Sequence, residues 1–330
     1  MKYATRLNSF ASRPENCWGA ANYKPSALEM MQRASKVQGL SEVDLNFPDH
    51  FAGTTPQEII SAARDLGLTV NGLAMRYYSD PAFKLGAFTN PNSRVRQSAI
   101  DLTKTAMDIL EETGGDLLTI WLGQDGWEYP FQADYELLWE AEIEAIREVA
   151  DHNPRIKVSI EYKPNEPRSF SLLSNLGITL LAIKEIDRPN LGVTFDFAHV
   201  LYAGELPAFA ASMIARESQL LGIHLNDGYG RRDDGLMVGT VNIMQTLEVL
   251  FQLIRKGFDG VIYFDTFPDV TGMDPVRECE NNIAMVNSLW DLAKSLTAQP
   301  GLLEAIGNQD AVVSQDIVRR AIFGNHRAAS

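Results

Sequence analysis

Short β-branched runs alternate with longer stretches carrying apolar residues at helical spacing, from one end of the chain to the other. That alternation marks parallel strands separated by packed helices. Strands are predicted at about 3–10, 39–47, 69–77, 117–123, 157–163, 191–197, 221–226 and 260–266. Amphipathic helical patterns fill the gaps at about 25–37, 55–66, 92–113, 133–152, 170–186, 206–219, 242–257 and 274–296. Eight strand–helix pairs in series predict an α/β fold, a closed (β/α)8 barrel.

Punctuation agrees with the periodicity. Gly67, Gly114–Gly115, Gly177 and Gly257 each fall where a helical run is expected to end, as left-handed C-caps do. Thr54-Thr55-Pro56 opens a helix, offering a hydroxyl cap and then a proline in the first turn. After Leu296 the text TAQPGL breaks the repeat, and 302–323 reads as one or two further helices. The expected organisation is a catalytic barrel over 1–297 and a C-terminal helical extension over 298–330, packed on the barrel or on a neighbouring subunit. Long loops at about 77–91, 123–132 and 227–241 are rich in Gly, Asp, Pro and aromatics, on the side where barrel sites are built.

Bulk properties narrow the function. At 330 residues the chain suits one barrel with an appendage. A formal net charge of −14 disfavours a nucleic-acid partner, because phosphate neutralisation needs a basic surface. Without a long apolar span or an N-terminal signal pattern, no membrane partner and a cytoplasmic location are expected. Cys17 and Cys279 lie far apart and support neither a zinc knuckle nor a disulfide framework.

The chemistry is concentrated in the C-terminal half. Glu161, Asp196, His224 and Asp265 end four successive strand-like runs, KVSIEYKP, LGVTFDFAH, LLGIHLND and GVIYFDTF. Their spacings of 35, 28 and 41 residues match one strand, one helix and two loops, so the four would ring one mouth of the barrel. Three carboxylates and one imidazole suit a divalent cation. Mn²⁺ is the first expectation, with Mg²⁺, Co²⁺ and Zn²⁺ as alternatives.

His199, one turn beyond Asp196, suggests a second cation position, and the loop containing Asp233 and Asp234 either folds back to supply oxygens to it or is a solvated turn. Lys163 shares a strand face with Glu161. Its ammonium either stabilises charge on a substrate oxygen or pairs with a neighbouring carboxylate. His50 follows the second strand, while Trp121 and Trp127 bracket the fourth and its loop, offering either a sugar platform or ordinary packing.

On these residues the chain resembles the xylose isomerase-like TIM barrel superfamily, and within it the L-rhamnose isomerase branch. IEYKPNEP matches that branch's Glu-x-Lys and following Glu-Pro, FDFAH its Asp-x-x-His, and GIHLNDGYGRRDDGL its His-x-Asn-Asp with a downstream acidic cluster. WLGQDGWE is similar to a Trp-Gly-Gly-Arg-Glu-Gly segment of xylose isomerases. The resemblance implies a first metal on Glu161, Asp196, His224 and Asp265 and a second on His199, Asp233 and Asp234. Taken with the reading of the residues, it leads us to expect catalytic roles for Lys163, His199 and Asp233, and substrate contacts from His50, Trp121, Glu166 and Asn226. Gly235 stands where the family loop carries a third acid.

The implied activity is metal-dependent aldose–ketose isomerisation of an unphosphorylated monosaccharide, rhamnose-like, deoxy or branched, by a metal-assisted hydride shift. A small-molecule sugar is the expected partner, and a homodimer or homotetramer the expected assembly. The alternative is a ketose 3-epimerase or a ketone or polyol dehydratase on the same barrel. Asp265 favours the isomerase, since an aspartate is one methylene shorter than the glutamate an epimerase uses there. A barrel DNA-repair endonuclease shares the fold, but the negative charge and scarce histidines oppose it. Gly235 keeps open a binding protein without turnover.

Overall fold

The computed structural model describes residues 1–324. Among these, eight parallel strands form one sheet: β1 (Lys2–Thr5), β2 (Glu42–Phe47), β3 (Thr69–Met75), β4 (Leu117–Ile120), β5 (Lys157–Glu161), β6 (Leu191–Asp196), β7 (Leu220–Leu225) and β8 (Val261–Phe264). Each strand pairs with its sequence neighbours, β8 pairs with β1, and a bridge between Arg6 and Asp44 joins the ends of β1 and β2. The ring is the (β/α)8 barrel that the alternation predicts. Strands β2 and β6 are buried along their whole length, as expected where helices cover one face and barrel side chains the other.

The outer helices are α1 (Ala27–Ala34), α2 (Pro56–Asp65), α3 (Ser93–Thr113), α4 (Tyr135–His152), α5 (Leu176–Ile186), α6 (Pro207–Glu217), α7 (Ile243–Arg255) and α8 (Pro275–Thr297). Their starts follow local chemistry. Thr55 accepts from the Glu58 amide and Glu58 reaches back to the Thr55 amide, so α2 opens on a full capping box. Asn92, Asp134, Asn175 and Asp274 cap α3, α4, α5 and α8 in the same way with one side chain each. Two further helices, α9 (Pro300–Gly307) and α10 (Ala311–Phe323), follow the eighth pair. Leu302 and Ala305 of α9 are buried, whereas α10 has no buried side chain. Residues 325–330 of the expected extension, His326 included, lie outside the described residues.

The structure departs from the sequence reading in three places. The first strand stops at Thr5, and Leu7–Ala11 curls into a 3₁₀ turn that buries Leu7 and Phe10. The segment read as the start of the fifth helix at 170 is instead a short strand: Phe170–Ser171 pairs antiparallel with Gly126–Trp127, and α5 begins six residues later. Gly177 therefore lies in the first turn of α5 and ends no helix, while Gly114, but not Gly115, takes the left-handed conformation after α3. Among the described residues no helix is long and apolar enough to cross a membrane. Both cysteines are free thiols, Cys17 exposed and Cys279 buried.

Candidate functional site

Strand register sets the height of each site residue. Asp196 is paired with His224 across β6 and β7, and Glu161 with Thr194 across β5 and β6. Asp265 follows β8 directly. The consequence is a closed cluster: one donor atom from each of Glu161, Asp196, His224 and Asp265 lies within 4.8 Å of the other three. His224 Nδ1 is 3.3 Å from Glu161 Oε1 and 3.9 Å from Asp196 Oδ2, and its ring packs on Tyr263 with centroids 4.2 Å apart.

His199 belongs to the short helix Phe197–Tyr202 that Asp196 itself caps, accepting from the His199 amide at 2.9 Å. This places His199 Nδ1 3.5 Å from Glu161 and Nε2 3.1 Å from Asp233 Oδ2. The same Asp233 oxygen lies 3.1 Å from Lys163 Nζ, which also pairs with Glu166 at 2.9 Å and sits 5.0 Å from the centre of the Trp121 ring. Lys163, His199, Asp233 and Trp121 thus line one cavity with Glu161, His224 and Asp265.

Burial and charge act against each other here. Burial lifts the Asp196 carboxyl to about 7; His199 opposes that rise, while Asp233, Glu161 and Asp265 add to it. Asp265 is raised for the same reason, by burial and by Glu161. Burial also presses on Glu161, but the imidazoles of His224 and His199 override it and hold the carboxyl at about 2. The imidazoles respond in turn: against burial, Asp196 and Asp233 draw His199 up to about 10, and Glu161 draws His224 up to about 9. Asp233 is pulled below the carboxylate range despite burial, by His199 and Lys163.

Five candidate site residues are placed differently. Asp234 turns away from the cavity: its carboxylate accepts from the Tyr229 amide and from Arg232 Nε, both at 2.8 Å, so it stands apart from His199 and Asp233. Asn226 does not face the cavity but holds Asp196, donating to its two carboxylate oxygens at 3.3 and 3.1 Å and to the Asp265 carbonyl, while accepting from the Ala198 amide. Glu166 is partly exposed and serves as a partner of Lys163. His50 is buried just beyond β2 and does not line the cavity: Nδ1 accepts from the Asn46 amide, leaving the proton on Nε2, 2.5 Å from Asn8 Oδ1. Trp127 stacks on Phe170 in the small ribbon, also away from the cavity.

Gly235, where a third acid was looked for, has φ +55°, and a Cβ there would lie 2.3 Å from the Phe267 ring. No L side chain fits that position comfortably. Two charged cavity residues escaped the sequence reading. Arg6 and Arg76 each come directly after a barrel strand, a position that could have flagged them. Arg6 is committed to Asp269 at 2.7 Å and lies 4.0 Å from Asp265. Asp227, three residues beyond His224, anchors the acidic loop by accepting from the Val241 and Asn242 amides.

Comparison with known proteins agrees with this architecture. A family profile described as xylose isomerase-like TIM barrel matches residues 31–288. A xylose isomerase of Thermus thermophilus is 31% identical over 226 residues, covering 64% of this chain and 58% of that protein. The chain therefore spans a little over half the length of that relative. Among solved structures, an L-ribulose 3-epimerase superposes with a TM-score of 0.71 at 15% identity over 90% of this chain and 97% of the other. A xylose isomerase domain protein from Alicyclobacillus acidocaldarius gives 0.67 at 18% identity over 89% and 99%. At such identities the structural likeness speaks for the fold, and the profile match across most of the barrel carries the family: the chain belongs to the xylose isomerase-like TIM barrels.

Proposed function

We propose that the protein is a divalent-metal-dependent sugar isomerase that interconverts the aldose and ketose forms of an unphosphorylated monosaccharide. The observation that carries this reading is the convergence of Glu161, Asp196, His224 and Asp265 within 4.8 Å. Three carboxylates so close repel one another, which adds to the burial that raises Asp196 and Asp265. A hard or borderline dication fits this donor set, with Mn²⁺ first and Mg²⁺, Co²⁺ or Zn²⁺ as alternatives. When bound, it supplies Lewis-acid polarisation of neighbouring substrate oxygens.

The chain's own groups do the rest. Lys163, fixed between Asp233 and Glu166, presents an ammonium that stabilises negative charge developing on a substrate oxygen. His199, held protonated by Asp196 and by Asp233 at 3.1 Å, can lend a proton to O1 or O2 and take it back. The cavity, about 180 Å³, has the space of roughly six waters and suits one sugar. Hydrogen transfer between C1 and C2 as hydride asks no side chain to reach a carbon-bound proton, consistent with the short Asp265. A second cation beside His199 and Asp233 would have to do without Asp234.

A cytoplasmic homo-oligomer, dimer or tetramer, completes the reading; it is supported by α10, which buries no side chain and exposes Val312, Val313 and Phe323. The test is an aldose panel that includes D-xylose and L-rhamnose, run with Mn²⁺, Mg²⁺ or Co²⁺ in D2O and followed by NMR. Ketose with little deuterium at C1 is the expected result. Turnover of ketoses at C3 with solvent deuterium, and none of aldoses, would transfer the protein to the 3-epimerase reading.

A further inference from the structure

Five buried polar atoms without a hydrogen-bond partner belong to residues that line the cavity: His199 Nδ1 and Asp233 Oδ1 beside the acidic cluster, and Arg76 Nε, Trp121 Nε1 and Thr119 Oγ1 on the β3–β4 side. Strand register makes the last three neighbours. Ala74 pairs with Thr119 across β3 and β4, so Arg76 and Trp121, two residues further along each strand, stand side by side at the mouth, with Thr119 beneath Trp121 on the same face. Tyr78 packs near both, with its ring 5.4 Å from that of Trp121 and 5.8 Å from the Arg76 guanidinium carbon. Ile120 pairs with Ile160 across β4 and β5, which puts Trp121 next to Glu161. Arg76, Trp121 and Thr119 therefore occupy the half of the ring that the four metal-type ligands leave free.

The other cations of the cavity are committed. Arg6 is paired with Asp269, and Lys163 with Asp233 and Glu166. Among the described residues Arg76 makes no ion pair, and its charge reaches Glu161, whose carboxyl it helps to hold down. An indole N–H and a guanidinium Nε–H can only donate, so burying both without partners is unfavourable until an acceptor arrives. A hydroxyl would meet the hydrogen-bond demand, but only an anion would also give Arg76 the ion pair it lacks. The planar fork of a guanidinium matches a planar carboxylate.

We propose that Arg76, Trp121 Nε1 and Thr119 form a carboxylate-binding corner, so that the substrate is a sugar acid with its carboxylate on the β3–β4 side and its reacting carbons toward Glu161 and His224. This rests on the isomerase reading for the reacting end, yet it can be tested without turnover. The competing role for Arg76 is a bare counter-charge to the acidic cluster.

The experiment measures binding of D-gluconate, D-glucitol and D-glucitol 6-phosphate to the Mn²⁺-loaded protein by titration calorimetry, for wild type, Arg76→Gln and Arg76→Lys. Wild type should bind gluconate at least tenfold more tightly than glucitol. Arg76→Gln should abolish that preference while changing glucitol affinity less than twofold and leaving Mn²⁺ content intact, and Arg76→Lys should retain part of it. Equal affinity for gluconate and glucitol in wild type would overturn the proposal. So would a gluconate preference that survives in Arg76→Gln, or tighter binding of the phosphate. If Arg76→Gln loses Mn²⁺ and all ligand binding together, Arg76→Lys decides: full wild-type preference in the lysine variant means a counter-charge and overturns the corner. Failure of every aldose to isomerise would remove the isomerase reading and leave this binding result standing.

Discussion

Asn226 donates to both carboxylate oxygens of Asp196, at 3.3 and 3.1 Å. A carboxylate held this way keeps its orientation. Asn226→Ala should therefore weaken Mn²⁺ binding by about 10- to 100-fold while leaving the fold intact. Equilibrium dialysis against Mn²⁺, with circular dichroism as the folding control, checks it; unchanged affinity would mean that Asp196 is positioned by the backbone alone.

Glu161 and His199 separate the two proposed functions of the cluster. Glu161→Gln removes a charged oxygen from the middle of the four donors, and should abolish activity and lower bound metal together. His199→Ala should retain the metal on the four-residue site but reduce turnover by about 10²- to 10⁴-fold, the usual range for a lost acid–base group. Metal analysis beside kcat measures both, and equal loss of metal in the two variants would contradict the separation.

His50 gives a pH dependence of stability. Burial, with Arg76 and Arg6 adding to it, depresses its pKa to about 3 from the ordinary imidazole value of about 6.5. Below 6.5 the unfolded chain binds a proton that the folded chain refuses, so stability is fully present above that pH and falls as pH drops toward 3. This group alone contributes a slope of about 1.4 kcal/mol per pH unit in that window. His50→Gln, whose amide can accept from Asn46 and donate to Asn8, should flatten the slope. Urea unfolding of both proteins at pH 5 and pH 7 is the measurement, and parallel losses would reject the assignment.

Gly235→Asp should not create a third loop acid. With φ +55° and Phe267 in the space of a Cβ, the substitution is expected to destabilise by about 1–3 kcal/mol. Phe267→Ala made together with it should relieve part of the loss, giving a non-additive double-mutant cycle. Additive effects would show that the ring is not what excludes a side chain.

Local periodicity was enough for the barrel. The eight strands and eight helices follow from alternation and capping signals that act over a few residues, such as the Thr55–Glu58 box, and the four clustered candidate ligands were legible because a strand end has a fixed address at the barrel mouth. What the sequence could not determine is where a side chain points once its loop closes. Asp233 and Asp234 are adjacent in the chain, yet one meets Lys163 and His199 while the other bonds its own loop. His50 and Asn226 carry the chemistry of ligands but spend it on Asn8, Asn46 and Asp196. Arg76 looked unremarkable in the text, and only the pairing of β3 with β4 brings it beside Trp121 with no partner for its charge. Hydrogen bonds and ion pairs between residues distant in sequence form after the ring closes, so the tertiary structure alone decides which polar groups are satisfied and which are left for a ligand.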